Sequence, residues 1–158
     1  MSSYRYRFVG YEKMPSGMNA DDVQLHCQLS DELIREIRNS SFLKRYHLGL
    51  AVQMSFLALT GRNADARLKM PAPMLSLLCS QLGIHSTAIG SLKSLYANAQ
   101  RTLTTHRAWV REKLLFSSYD EANHQRLYVA MSKRAVDASS VDDLFPFAQE
   151  WLFDNRIV

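Results

Sequence analysis

The chain has 158 residues and a mass of 18.1 kDa, which is enough for one domain. Its composition, 47% hydrophobic and 22% charged, excludes wholesale disorder and low-complexity classes. The net charge is +4, no apolar run approaches the roughly 20 residues that span a bilayer, and the N-terminus lacks the apolar region of a secretory signal. Cys27 and Cys79 lie far apart, so they indicate reduced thiols in a cytoplasmic protein rather than a zinc site.

The first part of the chain predicts an arm followed by two helices. Residues 1–29 contain a Pro-Ser-Gly break and look like a poor core segment, an arm whose first residues could enter a minor groove. Ser30 is a typical N-cap for a helix that ends near Asn39. The strongest helical pattern covers residues 41–59, with one apolar stripe, and Gly61 is its natural stop.

The second part predicts a polar, basic loop and then further helices. The loop covers residues 61–70, and Pro71 and Pro73 open a helix that stops at Gly83. Two further helices are predicted over residues 86–97 and 100–116. A capping box at Ser118–Glu121 predicts the start of the next helix, and Asp142 or Asp143 is the predicted cap of the last one. The fold class is therefore all-α, a bundle of six or seven helices. We divide it into a lead-in at 1–29 and a helical domain at 30–158.

The positive charge is concentrated in the middle third of the chain. Residues 61–118 carry a net charge of +6, whereas residues 119–158 carry −3. A basic segment of this kind favours a polyanion as partner, although a solvated basic face would give the same count.

Residues 75–94 resemble the helix-turn-helix element of DNA-binding proteins. Cys79 is small where the two helices approach, and Gly83 suits the turn. In such an element the second helix enters the major groove. Its outward residues would include His85, Ser86, Thr87, Ser91 and Lys93. Two ordinary helices packed around a glycine turn would show the same pattern.

Two further groups of residues are candidates for contact with DNA. On the helix over 100–116, an outward face carries Arg101, Thr104, Arg107 and Arg111. In the basic loop, the candidates are Arg62, Arg67 and Lys69. Arginine and lysine bind phosphates and guanine edges, and threonine binds either, so these types suit a nucleic-acid interface.

Enzymatic signatures are absent from this sequence. It contains no Gly-rich phosphate loop, no G-x-S-x-G and no H-E-x-x-H, and its five histidines show no ligand spacing. We therefore expect no catalytic residue, no metal site and no cofactor in this chain.

Several short segments, in this order and spacing, resemble the large replicative bacterial transposases of the Tn-three family. They are Leu29–Asp31, His47–Leu57, Gly61-Arg62, Pro71–Leu78, Gln81–Gly83, Arg101-Thr102 with His106, Leu114–Phe116, Ala148–Leu152 and Ile157-Val158. The resemblance covers about residues 29–158, whereas residues 1–28 match poorly. It implies an N-terminal helical domain that binds the terminal inverted repeats of a transposon, with the Asp-Asp-Glu catalytic domain elsewhere in a longer enzyme.

Two functions follow as hypotheses. The first is a DNA-binding domain that recognises transposon ends, with double-stranded DNA and the other domains of the same transposase as partners. The alternative is a helical protein-interaction module for transposase dimerisation or interdomain docking. Both hypotheses place the chain in the bacterial cytoplasm, and the DNA-binding hypothesis places it at the nucleoid. Neither includes a membrane or a small-molecule substrate as a partner.

Overall fold

A computed structural model describes residues 4–85 and 91–158, and within them every regular element is helical. The all-α prediction is confirmed, with eight α-helices in these residues rather than six or seven. Two isolated β-bridges join loop segments. The helices are α1 Ala20–Cys27, α2 Asp31–Asn39, α3 His47–Thr60, α4 Ala72–Leu82, α5 Leu92–Leu95, α6 Gln100–Lys113, α7 Glu121–Ala135 and α8 Leu144–Asp154. None of the described helices is long and apolar enough to cross a bilayer.

Helix α3 is the centre of the core. It contacts α1, α2, α4 and α6, and thirteen of its fourteen residues are buried. The predicted single apolar stripe is therefore wrong, because neighbours cover this helix on all sides. The predicted start at residue 41 is also wrong: Lys44–Tyr46 form a 3-10 turn, and Leu43 remains 59% exposed.

Most predicted helix boundaries set by caps and breakers are confirmed. The Ser30 side chain accepts a hydrogen bond from the Leu33 amide at 3.3 Å at the start of α2. Gly61 and Gly83 end α3 and α4 with φ of 72° and 69°, the left-handed region that favours glycine. Pro71 stands at the N-cap of α4.

The lead-in contributes to the core, contrary to the prediction that residues 1–29 are a poor core segment. Phe8, Val23 and Cys27 are buried in the main cluster. The Cys27 carbonyl accepts a hydrogen bond from Ser55 Oγ on α3 at 2.8 Å. The backbone of this segment is thus fixed against the central helix, although the division into a lead-in and a domain stays a prediction.

The start of the chain lies against α8. Tyr6 donates a hydrogen bond to Asp154 at 2.7 Å, and Arg5 forms an ion pair with the same carboxylate at 3.0 Å. The prediction of a free arm that could enter a minor groove is therefore wrong for these residues.

Helices α7 and α8 form an outer hairpin. The predicted capping box at Ser118–Glu121 is wrong, because α7 begins two residues later with Asp120 as its cap, which accepts from the Asn123 amide at 2.8 Å. A capping box does occur where Ser140 and Asp143 precede α8. No residue of α8 is buried, so this hairpin covers little of the core.

Candidate nucleic-acid interface

The loop at residues 61–70 is anchored by its small and apolar residues. Ala64 and Leu68 are buried in the core cluster. Between them, the Asp65 side chain accepts a hydrogen bond from the Arg67 amide at 2.7 Å, which is a local turn typical of Asp. Because the loop is fixed at these points, the positions of its cationic side chains are set by the fold.

The segment that begins at residue 91 lies against this loop. Lys69 and Ser91 form an antiparallel bridge, and the Lys93 amide donates to the Ala66 carbonyl at 2.6 Å. Leu92 between them is fully buried. The pairing brings Ser91 and Lys93 beside the basic loop, although about 25 residues separate the two segments along the chain.

Helix α6 brings Arg107 against the basic loop. Leu103, His106 and Val110 are buried on its inner face. Arg107 lies at the edge of that face, where its Nη2 donates to the Ala64 carbonyl. Its Nε is buried and has no hydrogen-bond partner in the described residues.

The basic loop, Arg107 of α6 and residues 12–14 of the N-terminal segment line a cavity of about 880 Å³, which we call the basic cleft. Five cationic and two acidic side chains line it together with Asn63, Met14 and Leu68. The charged residues are Lys13, Arg62, Arg67, Lys69, Arg107, Glu12 and Asp65. Arg62 pairs with Glu12 at 3.3 Å, and the cleft retains an excess of positive charge.

A second cavity of about 420 Å³ continues from the cleft across Arg67. Lys93, Tyr96, Asn98 and Gln100 line it. A positive surface therefore runs from the N-terminal segment, over the basic loop, to the start of α6. This arrangement suits an extended anion such as a nucleic-acid backbone.

Tyr96 fixes the wall of the second cavity through a buried hydrogen-bond network. Gln53 Nε2 donates to the Tyr96 hydroxyl at 2.9 Å, and that hydroxyl lies 2.7 Å from His106 Nδ1. Since the hydroxyl accepts from Gln53, its own proton is available for Nδ1 of a neutral His106. Burial raises the pKa of Tyr96 and lowers the pKa of His106, which favours the neutral forms of both.

The structure unites only part of the predicted set of contact residues. Arg62, Arg67, Lys69, Lys93 and Arg107 line the two cavities, and Ser91 pairs with the loop beside them.

The remaining predicted residues do not line these cavities. Arg101, Thr104 and His85 are exposed elsewhere, and Arg111 donates to Ser118 at 3.0 Å. Ser86 and Thr87 lie outside the described residues, together with the predicted start of the second helix of the helix-turn-helix. What the structure describes there is the Gly83 turn and the four-residue α5, so that element stays a prediction.

Sequence reasoning missed Lys13, Glu12 and Tyr96 as lining residues. Lys13 and Glu12 precede the Pro-Ser-Gly break and follow no helical period, so no local pattern places them beside residues 62–69. Tyr96 offered a weak signal, because a tyrosine on an otherwise apolar face needs a buried partner for its hydroxyl.

Comparison with known proteins gives one relative and one family. The chain is 27% identical over 159 residues to a protein of Comamonas testosteroni described as the transposase for insertion sequence element IS1071 in transposon Tn5271. The alignment covers 100% of this chain but only 16% of that transposase, so the chain spans a small part of its relative's length. No solved structure matches. Residues 9–158 match a family described as Domain of unknown function (DUF4158), and the chain belongs to that family.

Proposed function

We propose that this chain is the DNA-binding part of a transposase, of the Tn-three type, and that it recognises the terminal inverted repeats of its mobile element. The observation that carries the proposal is the basic cleft, in which residues distant in sequence bring five cations together. The similarity to a transposase over the whole chain supports the same function. The double-stranded ends of the element and the rest of the transposase are the partners in this proposal.

The cleft supplies affinity through phosphates. Arg67 and Lys69 are exposed on the loop, whereas Arg107 is half-buried. Lysine and arginine contacts of this kind fix the register of a protein on DNA without reading its sequence. Thr104 and Arg111, three and four residues from Arg107 on α6, line neither cavity and are not part of the contact surface in this proposal.

Sequence recognition is tested by fluorescence anisotropy. The terminal inverted repeat and a scrambled duplex of equal length are compared at one fixed salt concentration. Specific recognition predicts binding to the repeat that is tighter by about 10³-fold, the lower end for specific sites. Equal affinity for both duplexes would contradict recognition of the inverted repeats. An absence of binding at low salt would contradict the proposed DNA-binding function as a whole.

Substitutions locate the contact. Arg67→Ala and Lys69→Ala, both in the cleft, are expected to weaken binding to every duplex. Arg35→Ala on α2 and Lys133→Ala on α7 are matched controls, since each removes one exposed cation outside the cleft. Equal losses in all four variants would show that overall charge, rather than the cleft, drives binding.

A protein-interaction role for the α7–α8 hairpin is the second candidate function. Tyr128, Val136, Val141 and Phe145 are exposed there, and such apolar surface favours a partner. Because the relative is about six times longer than this chain, we infer that the rest of the transposase covers the apolar surface of this hairpin. Hydrogen exchange in the hairpin should then be slower in a longer transposase than in this chain. Equal exchange, or a dimer of this chain by light scattering, contradicts that inference.

A further inference from the structure

An apolar cavity of about 380 Å³ adjoins the basic cleft. Its apolar wall comes from Val9 and from the C-terminal residues Leu152, Phe153, Ile157 and Val158. The volume lies within the range of about 300–1,000 Å³ that is usual for small-ligand sites. The structure thus holds a preformed site for a group with apolar faces at one end of the cleft.

Arg62 and Asn63 line both this cavity and the basic cleft. The Arg62 guanidinium stands at the boundary, where Nη1 donates to the Gly10 carbonyl at 3.5 Å and Nη2 pairs with Glu12 at 3.3 Å. Gly10 belongs to the apolar cavity and Glu12 to the cleft. A ligand that occupies both spaces must therefore carry an anionic group and an adjoining apolar group.

Polar groups at the rim narrow the class of that ligand. Asn63 and Gln149 are among the residues that line the cavity, and a side-chain amide offers both a donor and an acceptor. Such amides bind the edge of a nucleobase, and apolar or aromatic side chains pack on its faces. An aliphatic side chain of a partner protein would use the wall but leave these amides unpaired.

We propose that the apolar cavity takes one unstacked nucleobase from the DNA whose phosphates lie in the basic cleft. This inference rests on the proposed function, since it needs DNA in the cleft. Extraction of a base from a duplex costs free energy, and the cost is least for a base that is already unpaired. The chain should therefore prefer DNA that presents an unpaired base at the position facing the cavity.

The test compares the affinity for the fully paired inverted repeat with the affinities for a series of duplexes. Each duplex of the series carries a single unpaired base, at a different position along the repeat. At one position the unpaired base should tighten binding by about tenfold, because its extraction costs less. The fluorescent base 2-aminopurine at that position should brighten on binding, since it leaves the stack.

A filled cavity should abolish that preference. Leu152→Trp places a ring in the cavity, and Val9→Trp, at another lining residue, serves as the second variant if the first unfolds. Either variant should bring the ratio of the two affinities to about one. Leu25→Trp, the same change at an exposed leucine of α1, should keep the wild-type ratio, and Arg67→Ala should weaken both affinities while the ratio persists.

The possible failures can be told apart. Equal affinity for paired and unpaired DNA, with no change in 2-aminopurine emission at any position, overturns the nucleobase site and leaves the DNA-binding function intact. A preference that survives both tryptophan variants also overturns it, because the base then binds elsewhere. No binding to either DNA at low salt contradicts the proposed function itself.

Discussion

Replacement of Tyr96 by phenylalanine removes one oxygen atom from the buried network that joins α3, α6 and the wall of the second cavity. The hydroxyl accepts from Gln53 and lies 2.7 Å from His106 Nδ1. Gln53 is 2% exposed and His106 is 1% exposed, so water cannot replace the lost partner at either group. The variant therefore leaves two buried polar groups unpaired while the ring itself stays in place.

The expected loss follows from the cost of those groups. An unpaired buried polar group costs about 1–3 kcal/mol, and partial relaxation of the side chains leaves an expected loss of about 2–4 kcal/mol in the free energy of unfolding. Stability of that kind of domain is only about 5–15 kcal/mol, so the change is easily measured.

Urea unfolding at neutral pH measures the loss. Tyr96→Phe should lower the midpoint while the slope stays unchanged, which indicates a change of stability alone. Tyr128→Phe is the matched control, because Tyr128 is 65% exposed and should lose less than about 0.5 kcal/mol. If Tyr96→Phe is as stable as this control, the network does not hold the wall of the second cavity.

Three further predictions concern stability. Burial holds the pKa of His106 below 6.5, so the unfolded chain binds more protons as the pH falls from 6.5 towards that lowered pKa. The free energy of unfolding should therefore decrease over that window, with a smaller decrease in His106→Gln; an identical slope in both proteins would contradict this. Gly49→Ala should destabilise the chain by about 1–3 kcal/mol despite the higher helix propensity of alanine, because a Cβ there would lie 2.7 Å from the Tyr96 ring; calorimetry that shows a higher Tm would refute the close packing. Asp120→Ala should cost about 1 kcal/mol through the loss of the α7 cap, whereas Ser118→Ala should change stability by less than about 0.5 kcal/mol; the reverse order would restore the capping box predicted from sequence.

Local signals in the sequence were sufficient for the fold class. Ser30, Gly61, Pro71 and Gly83 act on the backbone within one turn, so the boundaries that they set could be predicted without knowledge of the tertiary contacts. The start of α7 was misplaced because Ser118 and Asp120 are both good caps, and the choice between them depends on long-range contacts.

Burial that arises from tertiary contacts could not be predicted in the same way. Helix α1 has little amphipathic character, and its burial depends on α3 and α4, which contact it from distant parts of the chain. Helix α3 is buried on nearly every side, but which neighbours cover its remaining faces depends on tertiary contacts, so the sequence pattern predicted only one apolar stripe.

The candidate interface was predictable in its residue types and only partly in its geometry. The cationic residues of the basic loop and Arg107 could be identified from charge. Their convergence depends on the hydrogen bond from Arg107 to Ala64 and on the bridge between Lys69 and Ser91, both of which join distant segments. Lys13 enters the cleft from the N-terminal segment and had no local signal.

The salt dependence of binding to the inverted repeat tests the central claim most directly. If the five cations of the basic cleft each neutralise a phosphate, log affinity against log salt has a slope of about −4.5, a loss of about 500-fold between 50 and 200 mM. The double variant Arg67→Ala with Lys69→Ala should make that slope shallower by about 1.8, whereas Arg35→Ala with Lys133→Ala should leave it unchanged. An unchanged slope in the cleft variant, or an equal change in the control, would contradict DNA binding by the basic cleft.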